Sequence, residues 1–423
     1  MTGAEMMALI EELYPIPRSI TGDGVRETLG ILARHVPLET HEVATGSKAL
    51  DWSVPREWNV REAWVRDPNG DVVVDFREHN LHLVGYSVPV RAKMPLEELD
   101  AHLHSMPDRP DWIPWRTSLY DDNWGFCLPH AQRIALPKGD YEVCIDSRLE
   151  DGHLTYGELR LPGRSERELL VSVHTCHPSL ANDNLSGIAV AVCVARRLAE
   201  IDRRCGIRFV FAPGTIGALT WLERNRDTTA RIEGGLTLTC LGDDNPLTYK
   251  RTYSGDQRID RVANRVLAEQ TQAHEEIDFH PFGYDERQYN SPGFRMPIGS
   301  LMRGRHGEFP EYHTSADEPS FLSATQLEEA SDVVAEILLA MDRERVFRSL
   351  QPSGEPQLGR RGLYRAIGGD GDPEVRQMAM LWLLQMGDGT RSIDDVASRS
   401  GITPAEIEAT AELLVRHDLL EWC

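Results

Sequence analysis

Cysteine is scarce here and follows no pattern. The seven cysteines, at 127, 144, 176, 193, 205, 240 and 423, are scattered through 423 residues without one Cys-x-x-Cys pair. That spacing argues against a disulfide framework and for a reducing compartment, so a cytoplasmic location is expected. No run of about 18 apolar residues occurs, which leaves no segment suited to cross a membrane as a helix. The opening residues, Met1-Thr-Gly-Ala-Glu-Met-Met7, lack the basic start and apolar stretch of a secretory signal. Positive charge is short as well. Lys and Arg number 45 against 67 Asp and Glu, a net charge of −22. Phosphate-rich partners and anionic membranes need a basic surface, so neither nucleic acid nor membrane is expected as a partner.

What is present is the apolar content and mixed charge of a globular protein, in a chain too long for one ordinary core. Helical periodicity marks residues 4–14 and 24–35, divided by Thr21-Gly-Asp-Gly24. From about 40 to 162 short alternating runs follow, such as Asp71–Phe76, Asn80–Val84 and Tyr141–Ile145, separated by turn signals. Six of the nine tryptophans fall between Trp52 and Trp124. They predict a mostly β module with an aromatic core. From 166 to 350 strands and helices alternate. Strands are predicted at Leu169–Val173, Ile207–Ala212 and Leu236–Leu241, and helices at Ser186–Glu200 and Thr325–Met341. Alternation of this kind predicts an α/β sandwich on a largely parallel or mixed sheet, with ligands bound beyond the carboxyl ends of its strands.

Gln351–Pro356 reads as a linker. After it, a helix at Glu374–Met386 and capping boxes at Ser392 and Thr403 predict a winged helix. Its presumptive recognition helix carries Glu406, Glu408 and Glu412, which favours packing or oligomerisation over DNA contact. The expected domains are 1–39 with 163–350 for the α/β part, 40–162 for the inserted β module and 357–423 for the winged helix. A homo-oligomer is expected.

Chemistry concentrates in two places. Val171-Ser-Val-His174-Thr-Cys-His177 ends a buried strand and runs into Ala181-Asn-Asp183-Asn-Leu-Ser-Gly187. Far downstream stands Glu311-Tyr-His313-Thr-Ser-Ala-Asp317. Imidazoles and a carboxylate are the ligands zinc takes when thiolates are lacking. His177, Asp183 and His313 are therefore metal candidates, and His174 is an alternative or additional one. Strand alternation carried on to 177 would place His174 and Cys176 on one face and His177 on the other. Asp183 is expected at or near the N-cap of the following apolar helix. Cys176 reads as a small buried hydrophobe.

Ala181-Asn-Asp-Asn-Leu-Ser-Gly187 resembles the signature of the co-catalytic zinc aminopeptidases, and Tyr312-His-Thr-Ser-Ala-Asp317 resembles their second element. The wider chain is similar to a bacterial aminopeptidase-like family with an inserted β module and a C-terminal winged helix. The similarity extends to Tyr14–Gly22, Asp51–Trp58, Cys176–Asn184, Pro213–Gly217 and Pro310–Ser315. The resemblance implies a link to polysaccharide or secondary-metabolite pathways. It also implies that Asp183 bridges metals, that His313 is the last ligand and that His177 or His174 is the first. The Glu-Glu pair of those enzymes is missing, since Phe211-Ala-Pro-Gly-Thr-Ile216 holds no acid. The Asp of the next strand is missing too, until Asp243 and Asp244. One zinc is therefore expected rather than two.

Glu286 or Asp285 is expected to replace the missing base, with Glu311 a further candidate. Arg303 and Tyr312 are expected to steady an oxyanion. The function expected is zinc-dependent hydrolysis of a peptide or amide bond, on a small peptide or aminoacylated metabolite held by its free amine in an acidic site. A single-zinc acyl transferase or cyclase, and a non-catalytic binding protein, are the alternatives.

Overall fold

A computed structural model describes residues 1–363 and 373–423. Two compact units make up the chain, Met1–Leu338 and Leu339–Cys423.

The first unit is built on an eight-stranded sheet. In spatial order its strands are Glu39–Ala44, His153–Leu161, Gly206–Ala212, Glu168–His174, Ile232–Leu238, Ile298–Met302, Leu247–Lys250 and His274–Ile277. The middle four run parallel, and antiparallel pairings lie toward both edges. Every residue of Glu168–His174 is buried. An apolar run with no polar face, Leu169-Leu-Val-Ser-Val173, belongs where both sides of a sheet are covered. Helices Gly187–Leu198 and Arg258–Gln270 pack against these central strands.

The strand order locates the site. After Glu168–His174 the chain crosses to Gly206–Ala212 on one side, then to Ile232–Leu238 on the other. At such a switch point the connections leave in opposite directions and open a crevice beyond the carboxyl ends. His174 is the last residue of the central strand.

The stretch 40–162 is not wholly a separate module. Its outer strands, Glu39–Ala44 and His153–Leu161, belong to the large sheet. A four-stranded antiparallel sheet lies between them, made of Val72–Asp75, Glu57–Arg66, Asp140–Glu150 and Val90–Pro95. Asn80–Val84, expected as a strand, forms one helical turn at Asn80–His82. The His79 ring accepts the Leu81 N–H there, and Asn80 donates to the Pro15 carbonyl. The third predicted strand also shifts, running Ile232–Leu238 and leaving Thr239–Gly242 as a loop.

The second unit holds helices Pro373–Met386, Ile393–Ser400 and Pro404–Arg416 with a three-stranded sheet. Ser392 accepts the Asp395 N–H while Asp395 accepts that of Ser392, the reciprocal cap its sequence predicts. The unit starts earlier than expected. Strand Val346–Ser349, ahead of the presumed linker, pairs with both Asp388–Ser392 and Leu420–Trp422, and without it the wing has no central strand.

Candidate metal centre

The central strand stops at His174, and that ending gathers the histidines. Past it the backbone turns away, so alternation no longer separates His174 from His177. Nε2 of His174 stands 2.7 Å from Oδ1 of Asp183, and Nε2 of His177 stands 3.9 Å from Oδ2. From 130 residues downstream, His313 brings its Nε2 to 2.9 Å from the same Oδ2. His174, His177 and Asp183 offer ligand atoms all within 4.8 Å of one another. The two sequence segments therefore meet at one carboxylate.

Asp183 is not the helix cap. Ser186 precedes helix Gly187–Leu198, and Asp183 sits at a kink in the preceding turn Ala181–Ser186, with a non-helical backbone (φ −108°, ψ 82°). Its own N–H is donated to Asp317 Oδ2, and the Asn182 N–H goes to Asp317 Oδ1 at 2.5 Å. Asp317 thus clamps the loop, and this frees both oxygens of Asp183 for the imidazoles. Asn182 fixes the loop from the other side, donating to Asp243 at 2.7 Å and accepting from the Gly242 N–H. Asp243 is taken up there and by Gly304, so it supplies no ligand. The Asn184 amide lies 3.2 Å from Nδ1 of His174 and holds that ring in place.

The electrostatics fit a cation. Burial alone would raise the Asp183 carboxyl, but the hydrogen bonds it accepts from the His174 and His313 rings work against burial and hold it well below the usual range. Burial pushes His177 well below its ordinary value, leaving a neutral imidazole with a lone pair to give. Burial also pushes the Cys176 thiol up to about 12, and Cys240 is raised by burial and by Asp183. Neither is a thiolate near neutrality. The donor set is then imidazole and carboxylate, which suits zinc. Asp317 is pushed up to about 8, by burial first, against the pull of its backbone donors.

Aromatic rings wall the cluster. Tyr284 stacks on His174 at 3.7 Å between centroids and touches Cys176 Sγ through its hydroxyl at 3.3 Å. Tyr312 stacks on His313 at 3.8 Å. Trp115, from the inserted segment, lies 4.8 Å from His177 and 4.4 Å from His313. The insert is stitched to the ligand loop by backbone bonds from Trp115 N–H to the His313 carbonyl and from Ser315 N–H to the Ile113 carbonyl. His313 itself has φ +57°, an uncommon conformation for a histidine, of the kind that collects at functional sites.

The expected helpers fall differently. Glu286 is buried and paired with Lys250 Nζ at 2.8 Å, and its Oε2 accepts the Tyr284 N–H at 3.0 Å. That carboxylate positions the Tyr284 loop and is not a free base. Asp285 is buried, and its Oδ1 has no partner among the described residues. Burial and the neighbouring Glu286 raise it well above the carboxylate range. Arg303 is buried and its bonds are made elsewhere. Its terminal nitrogens are taken by Glu329 and by the carbonyls of Asn245 and Gln326. Tyr312 lies at the cluster, its ring against His313.

Sequence reasoning passed over Trp115, placed with the core aromatics, and His306, whose ring is buried and stacks toward Tyr284. It did not foresee that the Tyr284 ring packs against Gly214 and His174. A Cβ added at Gly214 would overlap the Tyr284 ring, so no glutamate could stand at that point after strand Gly206–Ala212.

A cavity of about 60 Å³ opens beside the cluster, lined by His177, Trp115, Tyr284, Trp58, Phe76 and Arg18 among others. Among the described residues that line it there is no Asp or Glu. The acidic amine-binding site expected from sequence is therefore absent from this cavity.

Residues 7–344 match the family described as a domain of unknown function (DUF4910), and residues 345–422 match a winged helix-turn-helix family. A protein of Clostridium acetobutylicum, provisionally named for polysaccharide biosynthesis and an aminopeptidase-like domain, is 47% identical over 99% of this chain and 96% of its own. A solved structure from Clostridium acetobutylicum, provisionally classed as a peptidase, superposes with a TM-score of 0.83 at 45% identity, covering 100% of this chain and 96% of that one. BSAP, a zinc aminopeptidase of Bacillus subtilis, shares the fold with a TM-score of 0.60 at 13% identity, covering 80% of this chain and 95% of its own. With an aminopeptidase-like α/β unit followed by a winged helix, this chain belongs to the DUF4910 family.

Proposed function

We propose that the protein is a zinc-dependent hydrolase of a peptide or amide bond, of aminopeptidase type. One observation carries this reading: three histidines from two distant segments converge on the Asp183 carboxylate, with contacts of 2.7, 2.9 and 3.9 Å. Asp183, His313 and the pair His174 and His177 are the residues proposed to hold the metal. Zinc bound there would supply a Lewis acid beside the scissile carbonyl and acidify a water molecule near neutrality.

The chain's own groups have the remaining tasks. Asp317 and Asn184 hold the carboxylate and the His174 ring in register. Trp115 and Tyr284 exclude bulk water from the cluster, which strengthens every charge interaction inside. Asp285 is proposed to carry the proton to the leaving nitrogen, because it is a buried carboxyl with an unpartnered oxygen and a raised pKa. The winged-helix unit is proposed to serve packing or assembly. Glu406 and Glu408 are exposed on its last helix, where they would repel phosphate.

The test joins metal analysis of the full chain to a screen of aminoacyl amides and short peptides. Zinc near one per chain, with amide cleavage that chelation stops, is the expected result. His313→Ala should lose zinc and turnover together; unchanged zinc content in that variant would overturn the ligand assignment. Zinc contents of His174→Ala and His177→Ala assign the paired histidines. The lack of any acid in Phe211–Ile216 favours a second reading, acyl transfer or cyclisation by an amine of the substrate. Product mass separates the two, since hydrolysis adds a water.

A further inference from the structure

The segment Tyr14–Gly22 carries one residue that the chemistry above does not use. Arg18 is 1% exposed. Its Nε donates to the His177 carbonyl at 3.0 Å, and its Nη1 donates to the Leu13 carbonyl at 2.6 Å and more weakly to Thr28 Oγ1. Nη2 has no partner among the described residues. All of these acceptors are neutral, so a full positive charge is buried beside a candidate metal ligand with nothing of opposite sign bonded to it. Folded proteins seldom leave a buried cation uncompensated, because desolvation is recovered only by a matching charge or by a ligand that brings one. Guanidinium is also the group best shaped to meet an oxyanion.

Arg18 lines the same cavity as His177, Trp115 and Tyr284, where no lining acid offsets it. At about 60 Å³ the cavity has room for a short acidic side chain. An amine would meet a buried cation there.

We propose that this cavity takes a small oxyanion of the substrate, drawn by Arg18, so that the amide cleaved is flanked by an acidic group and is not selected through a free amine. This deepens the hydrolase reading above and rests on it for the reaction. Carboxylate and phosphate share the required chemistry.

The first arm uses the zinc-loaded full chain with matched C-terminally amidated dipeptides carrying Glu, Gln or Lys on either side of the scissile bond. Glu should exceed Gln by tenfold or more in kcat/KM, with Lys poorest. Gln equal to Glu, or Lys best, overturns the proposal. The second arm needs no turnover. Glutarate, inorganic phosphate and 1,4-diaminobutane are titrated while tryptophan fluorescence, from Trp58 and Trp115 in the cavity wall, and thermal unfolding are followed. Glutarate or phosphate should bind, whichever does so identifying the oxyanion, and the diamine should not. Binding of neither anion overturns the proposal.

Arg18→Gln should abolish anion binding. Because Arg18 also ties down Leu13 and His177, Thr117→Asp supplies an independent check, placing an acid in the cavity wall with those bonds intact. It should weaken glutarate tenfold or more and turn the preference toward Lys; an unchanged preference counts against the proposal. If amides are cleaved without regard to charge and no anion binds, the inference fails and the hydrolase reading stands. If no amide is cleaved yet glutarate binds in an Arg18-dependent manner, the hydrolase reading fails and the anion site stands.

Discussion

Replacing Glu286 by Gln tests whether that carboxylate is structural. Lys250 is one of four lysines in the chain, and its ammonium sits 2.8 Å from Glu286 Oε1 with side-chain exposures of 3% and 1%. At an effective dielectric constant near 20, the attraction at that distance is about 6 kcal/mol gross. Desolvation of both ions offsets most of it, so the pair contributes little net stability. Removing one partner is different, because it strands the other charge at a cost of about 3–5 kcal/mol. The unit Met1–Leu338 has an unfolding entropy of roughly 0.7 kcal/mol/K, from about 2.1 cal/mol/K per residue. A loss near 4 kcal/mol therefore lowers Tm by about 6 °C. Scanning calorimetry of Glu286→Gln, Lys250→Met and the double variant should show each single change lowering Tm by about 4–7 °C. The double change should cost clearly less than their sum, since no lone ion is left. Zinc content should hold, with turnover reduced only as the Tyr284 loop loosens. If Glu286→Gln keeps its Tm and loses turnover entirely, Glu286 is the proton carrier and the assignment to Asp285 is wrong.

Three further outcomes are expected. Asp285→Asn should retain zinc and fold while kcat drops by about 10²–10⁴, the range for loss of a general acid or base; near-normal kcat would remove Asp285 from the mechanism. Gly214→Ala should destabilise by about 1–3 kcal/mol and displace Tyr284, because the new methyl overlaps that ring; an unchanged Tm and intact activity would contradict the close approach. The third concerns acid. Burial lowers His79 to about 4 from an ordinary 6.5. The fold prefers the neutral ring, so stability is complete above pH 6.5 and falls toward pH 4 as the unfolded chain takes up the proton, by at most about 3 kcal/mol. His79→Gln should flatten that limb in denaturant titrations at pH 7 and pH 4.5, and an unaltered difference between the two would refute it.

Local pattern made much of this molecule readable. The run Leu169–Val173 had no polar face and became a central strand; Ser392 and Asp395 announced a cap and formed one. The metal candidates were readable because two short motifs each pack several ligand-type side chains into a few residues. What stayed hidden depends on distance in sequence. Nothing near Glu286 reveals that Lys250, 36 residues earlier, neutralises it. Nothing near Trp115 reveals that it leaves the aromatic core to lie against His313. Arg303 stands beside Arg305 and close to Glu308 in sequence, yet its partners come from a loop and a helix on either side of it. Boundaries failed for a related reason. Strands 39–44 and 153–161 carry the same alternation whether they pair with a small sheet or a large one, and only the partner decides.

The two backbone bonds between Ile113–Trp115 and His313–Ser315 make the insertion more than an accessory. Cutting out the insertion to leave the large sheet alone would unbutton the segment that presents His313 and strip Trp115 from beside it. Anyone reshaping this scaffold must leave that short seam sewn and keep Trp58 and Phe76, which the same insertion lends to the cavity wall.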